Sequence, residues 1–344
     1  MEEEFRRVLS YYDLGELKGV WRVECGFVNE NWILETTHGR YFLKRRHPHL
    51  RNAEVICAQH TLIAHLRRCG FPAPAVLPAS DGDTLLVLDG EFYEIQEYIE
   101  GVRYEHISQA RFQAAAAMLA HYHNCIRGFG PRALHDLGDL YCPAILNVNL
   151  TSLTEVWELD QDPTLAWIVR RLESHAADLM ARFARHAELP QLVIHGDYHA
   201  GNLLFEEDRI VGLVDYDKAR WQPRVVELAE VLIYFASPWP GHLKHLVYSG
   251  FLEWDKFMRF LRHYACAEET CLKANELCAL PNYIRCIWLS VSLERMLEKG
   301  SRPAEAPEAL RELLALVDWS AANTRRMIGT SCKAIGATSD RETP

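Results

Sequence analysis

Two short runs of branched apolar residues, Leu192–Ile194 and Ile210–Val214, have the length of buried strands, and each ends in a cluster of polar residues. The stretch around them, VIHGDYHAGNLLFEEDRIVGLVDYD from Val193 to Asp217, predicts a strand, a polar loop, a short hairpin and a second polar loop. Upstream, Val20 to Arg46 alternates as three strands with a turn between each. Leu85–Leu88 and Phe92–Tyr98 predict two more, joined across Asp89-Gly90, a dipeptide suited to a tight hairpin. Between these groups Val55, Ala58, Leu62, Leu66 and Cys69 recur at helical spacing, and Gly70 with Pro72 ends the run. Residues 2–12 predict a short amphipathic helix. After Gly101 the pattern turns helical, over Gln109–Asn124, Pro163–Ala187, Val225–Tyr234 and three or four helices from Leu243 to Met327, one of them starting at Pro281. The expected division is therefore 1–99, sheet-rich; 100–328, helical; and 329–344, a polar and poorly ordered tail.

Composition adds boundaries rather than identity. Hydrophobic residues make up 49% and charged residues 24% of 344, as in an ordinary globular protein with a sizeable core. The start, MEEEF, lacks a basic leader pattern, and no run approaches the roughly eighteen apolar residues of a membrane span. A cytoplasmic protein without a membrane role is expected. The ten cysteines are scattered through apolar helical stretches without a C-x-x-C pair, which predicts buried free thiols rather than disulfides or zinc. A net charge of −10 argues against nucleic acid as a partner and is compatible with a cationic small substrate.

The chemistry lies in the loops. His195, Asp197 and Asn202 follow the order H-x-D-x-x-x-x-N, the spacing of a phosphotransferase catalytic loop, and Asp215 opens V-D-Y-D downstream. A migrating phosphoryl group carries charge on its oxygens, so the site needs a hard divalent cation on oxygen ligands, for which Asn202 and Asp215 are suited. Asp197 is then left to orient the incoming hydroxyl and take its proton, and His199, which falls where protein kinases carry a lysine of the same loop, is expected to reach the γ-phosphate. In the N-terminal sheet, the turn from Cys25 to Asn31, with Gly26, Asn29 and Asn31, can bring backbone amides to a phosphate. Lys44, on the third strand, is placed to hold the α- and β-phosphates, whereas Arg45 and Arg46 read as surface charges. Either Gln59 or Glu54 of the following helix is expected to partner Lys44. The stretch Gln96 to Gly101 is the expected hinge, with backbone near Glu97 and Ile99 for an adenine edge. Glu227, in the helix after the loops, either supports the loop backbone or His195 or is an exposed charge at a helix start. His123 reads as a structural histidine.

Taken together, HGDYHAGNLLF from His195, VDYD from Val214 and the Phe42-Leu43-Lys44 strand resemble the aminoglycoside phosphotransferase, choline kinase and homoserine kinase superfamily. The resemblance implies an α+β, protein-kinase-like bilobal fold with a small antiparallel-sheet lobe and a larger helical lobe. It also implies ATP (or GTP) and Mg²⁺, with Asp197 as base, Asn202 and Asp215 on the metal and Lys44 on phosphate. No A-P-E segment follows Asp215, and the chain runs within a few residues into the Glu227 helix, so a small-molecule acceptor is expected rather than a polypeptide. Arg285 and Arg295 are candidates for an amino-acid carboxylate, as in homoserine. Asp217, Glu253, Asp255, Glu268 and Glu269 are candidates for the ammonium groups of aminoglycoside or choline-type acceptors. A binding or scaffold protein that keeps the fold without the chemistry is the alternative from another class.

Overall fold

The computed structural model describes residues 2–23, 28–103, 108–184, 188–238, 251–269 and 271–339. Helix α1 (Glu2–Leu9) leads into strands β1 (Leu17–Val23), β2 (Glu30–Thr36) and β3 (Arg40–Arg45). Helix α2 (Ala53–Arg68) and strands β4 (Val76–Leu77), β5 (Leu86–Leu88) and β6 (Glu91–Glu97) follow. The strands form one antiparallel sheet in the order β1-β2-β3-β6-β4, with β5 paired to β6. Asp89 and Gly90 join β5 to β6 at φ 52° and 79°, the left-handed pair that a two-residue hairpin turn requires. Alternation along the strands turns Leu17, Trp32, Leu34, Leu43, Tyr93 and Ile95 inward, where Phe5, Val8 and Leu9 of α1 close a small core.

The remaining elements are β7 (Val102–Arg103), α3 (Gln109–Cys125), α4 (Arg132–His135), α5 (Pro143–Trp157), α6 (Pro163–Phe183), β8 (Gln191–Ile194), β9 (Leu203–Glu206), β10 (Arg209–Leu213), β11 (Arg220–Pro223), α7 (Arg224–Ala236), α8 (Trp254–Ala267), α9 (Ala274–Glu298), α10 (Ala306–Ala322) and α11 (Thr324–Ser339). β9 pairs with β10 and β7, and β8 pairs with β11. These two small ribbons lie beside a second, larger core built mainly from the helices. Helix α2 belongs to that larger core through Leu62, Ile63, Leu66 and Phe71 just beyond it, so the two parts share it.

Three expectations change. Helix α9 begins at Ala274, and Pro281 lies inside it. Glu276 accepts from the Lys273 amide at 2.9 Å, and apolar residues bury much of the helix surface, enough to offset the roughly 3 kcal/mol that an interior proline costs. The stretch expected as a loose tail is helical to Ser339, because Met327, Ser331 and Ala334 fall at helical spacing and are buried. The described cysteines are free thiols, yet Cys57, Cys69, Cys266, Cys271, Cys278 and Cys332 are exposed and Cys286 alone among them is fully buried. A helical pattern places a cysteine on a helix without saying which face it takes. Helices α4 and α5 were outside the predicted set.

Candidate functional site

Strand β8 is pinned against β11 with Ile194 opposite Arg220, and the chain turns sharply at its end. Gly196 makes that turn at φ 75°, and a Cβ there would sit 2.7 Å from the Lys218 carbonyl oxygen. Both the backbone angle and the close approach exclude a side chain. Gly196→Ala is expected to destabilise the fold by about 1–3 kcal/mol, the scale of a forced unfavourable conformation, read as a lower urea midpoint. An unchanged midpoint would mean the loop has another conformation available.

Beneath the turn, the Gly196 amide donates to Glu227 Oε1 at 2.9 Å, Glu227 Oε2 lies 2.8 Å from His123 Nε2, and His123 Nδ1 lies 2.8 Å from the Tyr264 hydroxyl. All of these side chains are buried. Glu227 therefore holds the loop backbone from below. His195 is buried as well, with Nε2 3.1 Å from the Val214 carbonyl and Nδ1 accepting from the Asp197 amide at 3.3 Å. Burial lowers its pKa, and both ring nitrogens are engaged in tying the two loops together. His195 stands here as a tie between the two loops.

Asp197 stands beyond the turn. Its Oδ1 accepts from Lys218 Nζ at 2.7 Å, its Oδ2 accepts from Asn202 Nδ2 at 3.1 Å, and His199 Nε2 lies 3.6 Å from Oδ2. Burial pushes this carboxyl up, but His199 and the Lys218 ammonium outweigh it and hold Asp197 well below the usual carboxylate range. His199 is itself fixed, its Nδ1 accepting from the Gly201 amide at 3.0 Å. Asn202 also donates to the Asp197 carbonyl at 2.9 Å, which orients the amide and leaves its Oδ1 as the atom for a cation.

Asp215 occupies the left-handed region at φ 68°, a strained position for a residue other than glycine, right after β10. Its Oδ1 accepts from Lys44 Nζ at 3.1 Å, and Lys44 also donates to Asp217 Oδ1 at 2.9 Å. Burial raises the Asp215 carboxyl, yet Lys44 more than offsets this and keeps it below its ordinary value. The β3 lysine is thus joined to the loop that carries the second expected metal ligand. Asn31 lies directly opposite Lys44 in the sheet, and its buried Oδ1 has no hydrogen-bond partner among the described residues.

The partner expected for Lys44 is corrected. Gln59 donates instead to the Asp217 carbonyl at 2.9 Å, and Glu54 is exposed. Asp217 fills the role, and it is no open acceptor-site carboxylate: Lys44, Arg46 at 2.5 Å and Asn29 all donate to it. Arg46, expected at the surface, is 3% exposed. It reaches from Asp217 to Glu94, which accepts from Arg46 Nη2 at 2.7 Å and lies 2.9 Å from His60 Nε2. Burial would raise Glu94, but Arg46 and His60 hold it well below its ordinary range. Lys44 on β3 and Arg46 just beyond its end both meet Asp217, so the charge cluster links sheet, α2 and the Asp215 loop.

At the connection between the two parts, the Glu97 amide donates to the Ala75 carbonyl at 2.8 Å and its side chain pairs with Arg67. That amide is therefore committed. Ile99 packs over Gly212, whose missing Cβ would lie 2.9 Å from Ile99 Cδ1. Gly26 lies outside the described residues. Arg285 is buried and bonded to Asp178 at 2.5 Å on α6, and Arg295 is half-exposed and pairs with Glu298 at 3.1 Å. Each of these two arginines is paired with a carboxylate of the helical part. An arginine flanked by apolar residues on a helix finds its counter-ion across a helix pair, which linear spacing does not reveal.

Lys218, Glu230, Tyr141 and Arg220 went unnoticed in the sequence. Lys218 reads there as one charge in a polar loop. Glu230 carried a signal: it is a second carboxylate, three residues after Glu227, inside an otherwise apolar helix.

Residues 22–265 match the sequence profile of the phosphotransferase enzyme family. A homoserine kinase of Sinorhizobium medicae (strain WSM419) is 28% identical over 218 residues, 62% of this chain and 63% of that protein. The homoserine kinase of Gluconacetobacter diazotrophicus is 26% identical over 215 residues, 61% and 63% respectively. The chain thus spans slightly under two thirds of these relatives' length. Among solved structures, an amicoumacin kinase in complex with AMP-PNP, Ca²⁺ and amicoumacin superposes at TM-score 0.67 and 14% identity, covering 92% of this chain and 96% of that one. A microcompartment-associated aminopropanol kinase gives 0.64 at 16% identity, covering 96% and 98%. Choline kinase from Cryptosporidium parvum Iowa II gives 0.60 at 12%, covering 93% and 92%. At such identities these likenesses establish the fold.

Proposed function

Because the chain belongs to the phosphotransferase enzyme family, we propose that it transfers the γ-phosphate of ATP or GTP, with Mg²⁺, to a hydroxyl of a small molecule. The observation that carries this reading is the reach of Lys44 from the sheet to Asp215, in the loop next to the one that orders Asp197 and Asn202. The donor set fits the cation: Asn202 Oδ1 and the Asp215 carboxylate are hard oxygens, and Mg²⁺ takes one or two such ligands with phosphate and water completing its shell. When bound, the nucleotide and metal supply the phosphoryl group and the charge that screens it.

The protein's own part follows from its geometry. Lys44 and Asp215 pair in the free protein; with nucleotide and cation bound, Lys44 would hold phosphate oxygens and Asp215 would hold the metal. Asp197, ionised throughout the neutral range, accepts a hydrogen bond from the acceptor hydroxyl and takes its proton late in transfer. Fixed loops supply this positioning without reorganisation at the moment of reaction. Between Asp217 and α7 only the short β11 intervenes, which leaves no platform for a polypeptide and supports a small acceptor. Homoserine and amino alcohols are the first acceptors to test, given the names of the relatives. No helix among the described residues is long and apolar enough to cross a membrane.

Calorimetric titration of ATP with and without Mg²⁺ tests the reading. Wild type is expected to bind more tightly with the metal, and Asp215→Ala to lose that gain. Equal Mg²⁺ dependence in both proteins would remove Asp215 from the metal site, and no binding by wild type would leave a scaffold that keeps the fold alone.

A further inference from the structure

In the free protein, the atom of Asp197 that must receive the acceptor hydroxyl is already taken. Lys218 Nζ sits 2.7 Å from Oδ1, and Asn202 holds Oδ2. For a hydroxyl to approach, the half-exposed ammonium has to leave, and it stays in the site rather than passing to water only if a second carboxylate with a free oxygen lies near it. Glu230 meets the requirement. It is 1% exposed, on α7, and its Oε1 accepts from the Tyr141 hydroxyl at 2.5 Å. Its Oε2 is buried and has no hydrogen-bond partner among the described residues. A fully buried carboxyl with one idle oxygen is costly unless a second state uses it.

We propose that Lys218 is a movable counter-ion, which passes from Asp197 to Glu230 Oε2 as an acceptor hydroxyl takes its place, making Glu230 a positioning residue of the acceptor site. The proposal rests on the phosphotransferase reading above. The groups that face Glu230 are Tyr141 from the segment before α5, Lys218 from the Asp215 loop, Arg220 of β11, Asp197 and, on its own helix, Glu227. Burial pushes the Glu230 carboxyl up to about 8, against the Tyr141 hydrogen bond and the pull of Lys218. It is therefore mostly protonated at neutral pH in the free protein. As the ammonium arrives, Glu230 releases its proton to water, so the charge of the site is conserved apart from that proton. The idle oxygen, the blocked base and the raised carboxyl then have one explanation.

The test uses full-length protein and ADP release from MgATP, with water as the acceptor and with added L-homoserine as probe. Glu230→Gln keeps the shape and the bond from Tyr141, and its melting temperature checks that it folds. It is expected to lower acceptor-free ADP release about tenfold and to raise the KM for L-homoserine, whereas Lys218→Met, which unblocks Asp197, raises acceptor-free release. In the double variant the glutamine adds nothing to the effect of Lys218→Met. The wild-type rate climbs with pH through about 8, and Glu230→Gln loses that climb. Equal losses from Glu230→Gln with and without Lys218 would overturn the proposal and make Glu230 a direct ligand of the acceptor. So would no loss in either background. A readout free of turnover separates this from failure of the kinase reading: carboxyl-carbon NMR titration should show Glu230 moving to higher pH in Lys218→Met, and an unmoved titration would overturn the coupling even in a protein that releases no ADP.

Discussion

Asp197→Asn is expected to lower turnover by about 10²–10⁴-fold, the scale set by losing a positioned general base, while MgATP affinity stays near the wild-type value. The asparagine keeps the size of the side chain and can still accept from Asn202, so the loop geometry survives. What it loses is the negative charge that pulls on the acceptor hydroxyl and the second site for a proton. The carboxyl of Asp197 lies well below the usual range because His199 and Lys218 outweigh the effect of burial. It is ionised across the neutral range, so the wild-type pH–rate profile should show no limb from Asp197 near neutrality. Steady-state kinetics with calorimetry decides the matter. A variant that keeps more than a tenth of wild-type turnover, with unchanged nucleotide binding, would show that another group takes the proton.

Arg46→Met should cost about 3–5 kcal/mol of stability, the penalty for leaving a buried ion pair without one member. The guanidinium is 3% exposed and serves two carboxylates, Glu94 at 2.7 Å and Asp217 at 2.5 Å. Its removal leaves Glu94 with His60, Gln96 and the more distant Lys44 charge. The pH dependence has a definite sign. Glu94 is held below its unfolded value, so its stabilisation is present above about pH 4.3, the unperturbed glutamate pKa, and is lost as pH falls through the lowered folded value. Without Arg46, burial acts on Glu94 with less opposition, the folded pKa rises, and the variant should unfold at a less acidic pH than wild type. Urea unfolding at pH 7 and pH 5 measures both effects. A loss under 1 kcal/mol at pH 7 would mean the cluster is hydrated in solution and Arg46 behaves as a surface residue.

These two residues also mark how far linear reasoning reaches. Asp197 stood out because its role depends on neighbours within a few positions: the turn at Gly196, the amide of Asn202 and the strand before it are all local. The β5–β6 hairpin was legible for the same reason, since Asp89-Gly90 sets its own backbone angles. Arg46 lies one residue past β3, and alternation carried that far shows only that it falls on the side of Lys44. That this face is closed by Glu94 of β6 and by Asp217, 171 residues away, follows from the packing of the sheet on the loops. The choice between Gln59 and Glu54 as partner of Lys44 fails on the same ground: a helix presents several residues to a strand, and which of them meets Lys44 depends on rotation about the helix axis. Here that rotation gives Gln59 the Asp217 carbonyl.

The sequence by itself determined the strand-loop-hairpin that carries His195, Asp197, Asn202 and Asp215, the alternating sheet with Lys44, and the helical remainder. Each depends on short-range periodicity or on residues whose spacing along the chain is their spacing in space. Only the tertiary structure decided the partners of the buried charges: Asp217 for Lys44 and Arg46, Glu227 beneath Gly196, Asp178 for Arg285, and Glu230 with its idle oxygen beside Lys218. Buried ions must be matched across elements distant in sequence, and the strength of each match depends on desolvation and on distances of a few ångströms, which exist only once the helices and the sheet have packed.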